Sequence, residues 1–204
     1  MMPAFLTGYL LALGLILPLG PQNAFILSQG ATQPRLVRAL PAVVAAACCD
    51  TLLVMMAVLG VSVVVLAVPW VRIVLLVAGI GFLAVMGWLT WRAKVGDETD
   101  PEATAWPVRR QVTFAASVSL LNPHAILDTI GVIGTNSLSY AGQARAAFTA
   151  GVILNSWLFF FGLAVAGRLV GRWGGVRRWL NRASAVIMWI SAGYLLLSLL
   201  AARP

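Results

Sequence analysis

The chain has 204 residues, of which 61% are hydrophobic and only 10% charged, and its mean hydropathy is +0.93. A soluble domain carries about 25% charged residues, so this composition excludes one and describes an integral membrane protein. The net charge of +8 sits in short basic clusters between apolar runs, where membrane topology places Lys and Arg, and nucleic acid is excluded as a partner.

Apolar runs of about 20 residues predict six transmembrane helices. The first extends from Ala4 to Ile26. Met1 to Leu10 contains neither Lys nor Arg and the run continues too long for a leader, so this helix is expected to be retained. It is interrupted by Pro18-Leu19-Gly20-Pro21-Gln22-Asn23. Proline removes a backbone donor and clashes with the preceding turn, so the helix should break around Pro18, Gly20 and Pro21.

The second run, Ala39 to Leu59, contains Asp50 followed by Thr51. Asp50 lies about 17 Å into a core ~30 Å thick, where a carboxylate costs roughly 3 kcal/mol or more unless it lines a watery cavity, pairs or takes up a proton. Two readings stay open for it: a transport site, or a structural carboxyl kept protonated. Cys48 and Cys49 precede it as neighbours, which is neither a redox spacing nor a usual disulfide geometry, and they read as packing residues. The third run, Val71 to Trp91, holds Gly79, Gly81 and Gly87, read as permitting close helix contact. Trp70, Trp88, Trp91, Trp173 and Trp179 fall where aromatic belts form.

Arg92 to Arg110 carries Lys94, Asp97, Glu98, Asp100, Pro101, Glu102 and Pro107, and reads as a solvated linker. It divides the chain into a first three-helix repeat (1–91), the linker (92–110) and a second repeat (111–204). The fourth run, Val112 to Ile133, is interrupted by Leu121-Asn122-Pro123-His124 and contains Asp128. Asp128 is either a second transport carboxylate or a cap or interhelical hydrogen-bonding group. His124, the only histidine, cannot form a metal site with so few partners, but could bind substrate or relay a proton. The fifth run, Ala146 to Val165, offers Asn155 and Ser156 as cavity-lining residues or as interhelical glue. The sixth extends from Ala183 to Leu200.

Three helices per half is an odd number, so halves of like fold would be inverted, with the interrupted first helix of each placed at a midplane site. Freed backbone groups at such breaks are tolerated only against protein or a water-filled cavity. No phosphate loop, Ser-His-Asp set or metal-ligand cluster is present, so neither an enzyme nor a bound cofactor or metal is expected.

Gly20-Pro21-Gln22-Asn23-Ala24-Phe25 with Gln29-Gly30, and Asn122-Pro123-His124-Ala125-Ile126-Leu127-Asp128-Thr129, resemble the two signature segments of the lysine/arginine exporter family (LysE/ArgO). The resemblance covers nearly the whole chain and includes Asp50-Thr51. The related homoserine/threonine branch tends to show Pro-Gly-Pro at the first break without the Gln-Asn-Ala-Phe continuation, so the basic amino acid branch is favoured. The resemblance implies export of arginine or lysine across a bacterial cytoplasmic membrane, driven by the membrane potential or a proton gradient, and is compatible with a homodimer. Substrates with two cationic groups and one carboxylate suit a site in which Asp50 and Asp128 answer the cations. Gln22, Asn23, Asn122 and His124 would orient the substrate, and Thr51, Thr129, Asn155 and Ser156 would line the cavity. Alternatives are export of neutral amino acids or another small cation, or a thiol-redox carrier, although the second half contains no cysteine.

Eleven of the fourteen basic residues (Arg35, Arg38, Arg92, Lys94, Arg109, Arg110, Arg168, Arg172, Arg177, Arg178 and Arg182) fall on one side of this topology, and Arg72, Arg145 and Arg203 on the other. The positive-inside rule then makes the linker cytoplasmic and both termini external. Reporter fusions at Pro204 and within Asp97 to Glu102 should report opposite compartments; the same compartment for both would exclude the six-helix topology.

Overall fold

The computed structural model describes residues 1–17, 20–60, 69–92, 105–121, 125–126, 129–171 and 176–201, and every regular element among them is helical. In chain order these are α1 (Met2–Ile16), α2 (Pro21–Thr32), α3 (Leu36–Val58), α4 (Pro69–Arg92), α5 (Val108–Leu120), a π-helical segment (Thr129–Gly134) running into a short turn (Thr135–Ser137), α6 (Gly142–Val170) and α7 (Val176–Ala201). Leu36–Val58, Gly142–Val170 and Arg182–Ala201 are each long and apolar enough to cross a membrane. The pair α1 and α2, bent by 83°, would make a fourth span, and Leu76–Arg92 is a shorter apolar helix. This is a multi-pass membrane protein.

The expected first helix is therefore two helices. Pro21 opens α2 at a position where its missing N–H costs nothing, after an extended Gly20. In the expected fourth helix, α5 ends at Leu120, Ala125 and Ile126 are helical, and the π-helical segment spans Thr129–Gly134. Asn122, Pro123, His124 and Asp128 lie outside the described residues.

Helix α6 is the centre of the bundle. It packs against α1, α2 and α3; α3 in turn packs against α5 and the π-helical segment, and α4 pairs with α7. Apolar surface drives little association in lipid, so close packing of small residues must hold the helices together. Two seats on α6 do so. At the first, a methyl group on Gly151 would collide with the Phe5 carbonyl, and one on Gly8 with the Phe148 carbonyl. At the second, a methyl group on Gly167 would strike the Leu27 carbonyl, and one on Gly30 the Ala164 carbonyl. The two arms of the bent pair thus rest on one helix at points roughly 24 Å apart along its axis. Of the sequence-selected glycines, Gly87 does sit against Trp189, whereas Gly81 faces open space. Trp70, Trp88, Trp91 and Trp179 are exposed on the helix exteriors, and Trp173 lies outside the described residues.

The ends of α2, α4 and α6 and the starts of α3, α5 and α7 gather at one end of the bundle. Gln111 Nε2 donates to the Arg38 carbonyl (2.9 Å), Arg168 Nη1 to the Gln33 carbonyl (3.0 Å), and Arg182 lies 5.4 Å from the Trp91 ring centre. Basic helix ends are thereby collected there. At the opposite end Arg145 donates to the carbonyl of Val58, in the last turn of α3, which suits a cation.

Replacing Gly151 by Leu should destabilise the protein by about 1–3 kcal/mol or more through overpacking, read as a lower thermal midpoint in detergent. Gly162→Leu, with nothing near its Cα substituent, should leave the midpoint unchanged.

Candidate functional site

Breaking a helix inside a membrane sets backbone groups free, and lipid offers them nothing. The last carbonyls of α1 are such groups. Asn23, in the first turn of α2, reaches back and donates its Nδ2 to the Ile16 carbonyl at 2.6 Å, across the bend. The first backbone N–H of α2 belongs to Gln22, because Pro21 has none, and Gly20 supplies no side-chain cap. The positive end of the α2 dipole is thus left uncapped by side chains at the bend.

A cavity of about 470 Å³ lies at this bend, within the range of about 300–1,000 Å³ usual for small-molecule sites. Gly20, Pro21, Gln22 and Asn23 form one wall; Asp50 and Val54 of α3, Thr129 and Ile133 of the π-helical segment, and Ser156 and Phe160 of α6 form others. The remaining wall is α7, through Ile190, Ser191, Tyr194 and Leu195. Asp50 is the only acidic or basic side chain among the described lining residues.

Two cross-links from consecutive residues fix Asp50 in place. Ser156 Oγ donates to Asp50 Oδ2 (2.9 Å), and Trp157 Nε1 donates to Thr51 Oγ1 (3.1 Å), so α3 and α6 cross at this level. Gln22 lies beside the same carboxyl group, and its buried Nε2 has no hydrogen-bond partner among the described residues. A buried donor left open costs about 1–3 kcal/mol, and this one faces the cavity with Asp50. The arrangement can therefore take a cation at Asp50 and offer N–H donors, from Gln22 and the α2 terminus, to an anion on the same molecule.

Of the residues singled out from sequence, the structure brings Gly20, Pro21, Gln22, Asn23, Asp50, Thr129 and Ser156 together around this cavity. Thr51 is directed elsewhere: its hydroxyl donates to the Ala47 carbonyl (2.7 Å) and accepts from Trp157. Asn155 is buried off the cavity wall, and its Nδ2 has no hydrogen-bond partner among the described residues. Pro18, Pro123, Asn122, His124 and Asp128 lie outside the described residues. Cys48 is exposed on α3, against the packing reading, while Cys49 is half-buried; both are free. Ser191 and Tyr194 were missed from sequence. Polar residues three apart share a helix face, so their spacing in an otherwise apolar run was a usable signal.

The sequence profile of the LysE type translocator matches residues 13–199. The chain is 50% identical over 201 residues to "Putative amino-acid transporter YisU" of Bacillus subtilis (strain 168), covering 97% of this chain and 91% of that protein. It is 31% identical over 202 residues to the arginine exporter protein ArgO of Salmonella paratyphi A (strain ATCC 9150 / SARB42), covering 94% and 92%. It is also 31% identical over 204 residues to ArgO of Pectobacterium carotovorum subsp. carotovorum (strain PC1), covering 93% and 94%. No solved structure matches the chain.

Asn23→Ala should leave the Ile16 carbonyl unpaired and lower stability by about 1–3 kcal/mol, measured as a shift of the thermal midpoint in detergent. Thr7→Ala, which removes an exposed hydrogen bond to the Pro3 carbonyl, should have no measurable effect.

Proposed function

The chain belongs to the LysE type translocator family, and on that premise we propose that it is a secondary transporter exporting arginine, lysine or both from the bacterial cytoplasm. Proteins of this family move solutes and are not enzymes. The observation that carries the basic substrate is Asp50: a carboxylate on the wall of a membrane cavity that no described Lys or Arg side chain lines, oriented by Ser156. The 31% identity with an arginine exporter along 94% of the chain supports the same reading only coarsely, so the site chemistry is what selects the substrate class.

Binding follows from the geometry. The side-chain cation of the substrate pairs with Asp50, and its carboxylate takes the Gln22 amide and the N-terminus of α2, where dipole and N–H direction favour an anion. Asp128, part of the second signature segment, is assigned the α-ammonium group from its sequence motif. Exchange of access between the two faces follows from an inverted pair of three-helix repeats. The packing supports it: α3 lies against the interrupted helix of the second half, α6 against that of the first, and α4 pairs with α7. Exchanging the halves would leave these three pairings unchanged, while the packing of α7 on α2 has no comparable counterpart between α4 and the interrupted helix of the second half among the described residues. With the basic helix ends on the cytoplasmic side, α1 begins and α7 ends on the outer side. An outgoing cation moves against an inside-negative potential, so exchange for protons entering down their electrochemical gradient drives export.

Asp50→Asn keeps the shape and gives up the charge. A charge pair at 4 Å is worth about 4 kcal/mol at an effective dielectric of 20, so arginine and lysine efflux should fall by at least about a hundredfold while the protein still inserts. Radiolabel efflux from proteoliposomes under an imposed potential, with the protein quantified in the membrane, measures this. Ser156→Ala, which only frees the carboxylate to move, should cost less. Parental efflux by Asp50→Asn at normal levels, or selective efflux of homoserine and threonine by the parent, would overturn the basic-substrate reading.

A further inference from the structure

From the cavity toward the basic end of the bundle, α2 presents three successive layers. Gln22 and Asn23 face the cavity. One turn further, Phe25 and Ile26 are buried with Phe114, Val118 and Phe160 in an apolar seal, where the Phe25 and Phe114 rings stand 4.1 Å apart. Beyond it, Gln29 and Gln33 are buried again, joined by Gln111 of α5. About 17 Å of helix separates Gln22 from Gln33.

The outer layer has an unbalanced hydrogen-bond account. Gln33 Nε2 donates to the Trp106 carbonyl (3.1 Å) and to Gln29 Oε1 (3.1 Å); Gln111 Nε2 donates to the same Trp106 carbonyl (2.8 Å) and to the Arg38 carbonyl (2.9 Å). Both amides therefore converge on one carbonyl at the end of the linker. Each side chain is only 1% exposed, yet Gln33 Oε1 and Gln111 Oε1 are buried with no donor among the described residues. Anchoring Trp106 uses the N–H groups alone and leaves both acceptors unexplained. The neighbouring cations are directed elsewhere: Arg168 donates to the Gln33 backbone carbonyl (3.0 Å), and Arg110 lies 3.9 Å from the centre of the Trp106 ring.

We propose that Gln33 and Gln111 form an entry station on the basic-loop side, whose two Oε1 atoms take the ammonium or guanidinium group of the substrate once Trp106 withdraws, before that group reaches Asp50. The inference rests on the basic amino acid reading above. Its chemistry fits an intermediate stop. Uncharged amide oxygens attract a cationic N–H donor but hold it less tightly than a carboxylate does, so the substrate can leave for the charged site. Trp106 closes the station in this conformation, with its ring against Phe25 (5.7 Å) and Phe114 (5.4 Å) and its carbonyl under the two amides.

The test is sided transport of radiolabelled arginine, measured in everted and in right-side-out membrane vesicles so that substrate arrives at one face or the other. Gln33→Leu and Gln111→Leu should each raise KM for substrate arriving at the basic-loop face by roughly tenfold or more, with KM at the opposite face unchanged. Gln33→Glu should lower KM at the basic-loop face and slow turnover, because a charged station releases the cation reluctantly. Equal KM changes at both faces, no change at either, or a glutamate variant that behaves like the leucine variants would each overturn the station while leaving parental transport intact. A parental protein that carries neither arginine nor lysine would overturn the functional reading, and the station with it. Should the leucine variants fail to reach the membrane, the glutamate variant, which keeps the shape and an acceptor oxygen, decides alone.

Discussion

Peptide groups released from a helix cannot be left facing hydrocarbon, and the rest of this structure depends on how that requirement is met at the bend between α1 and α2. Asn23 takes the Ile16 carbonyl, and Gly20 and Pro21 make the turn with little wasted hydrogen-bonding capacity. What the protein cannot pair internally it turns toward a cavity. The same cavity that makes the bend tolerable also makes room for a carboxylate, so Asp50 and the uncapped start of α2 meet there for one physical reason.

The α3–α6 pair serves as the frame for this arrangement. Serine and tryptophan on α6 hold consecutive residues of α3, one bond on the cavity side and one on the outer surface, so the crossing resists both rotation and sliding. Around it, charge is distributed unevenly along the bundle: a single described carboxylate at the site, arginines at the helix ends, and an apolar aromatic layer between the two. From the basic end of the bundle to the cavity the surroundings change from amide to aromatic to carboxylate.

Much of this was legible in the sequence, for identifiable reasons. Proline and glycine act locally, so the first break could be located before any tertiary contact was known, and a carboxylate in an apolar run announces itself at Asp50. Rotational phase is harder to read. Thr51 and Asn155 stand beside Asp50 and Ser156 in the chain yet point away from the cavity, because helices apolar on all sides give no periodicity from which to tell their faces. Cys48 and Gly81 failed for the same reason: both lie on outward faces rather than in contacts. The α7 wall went unread because Ser191 and Tyr194 are weak signals next to a broken helix. The glycine seats depend on pairs of positions far apart in the chain, such as Gly8 with Phe148, and no single segment encodes such a pair.

Resting both arms of the bent pair on one uninterrupted helix has a consequence for how this chain can change in length. The seats at Gly151 and Gly167 are sixteen residues apart, and each added or deleted residue between them would turn the far seat by about 100° around α6 and shift it by about 1.5 Å. One such change would present a side chain where α2 requires bare backbone, and would carry Ser156 or Phe160 out of line with Asp50. The interval from Gly151 to Gly167 is thus a fixed ruler, intolerant of insertion or deletion.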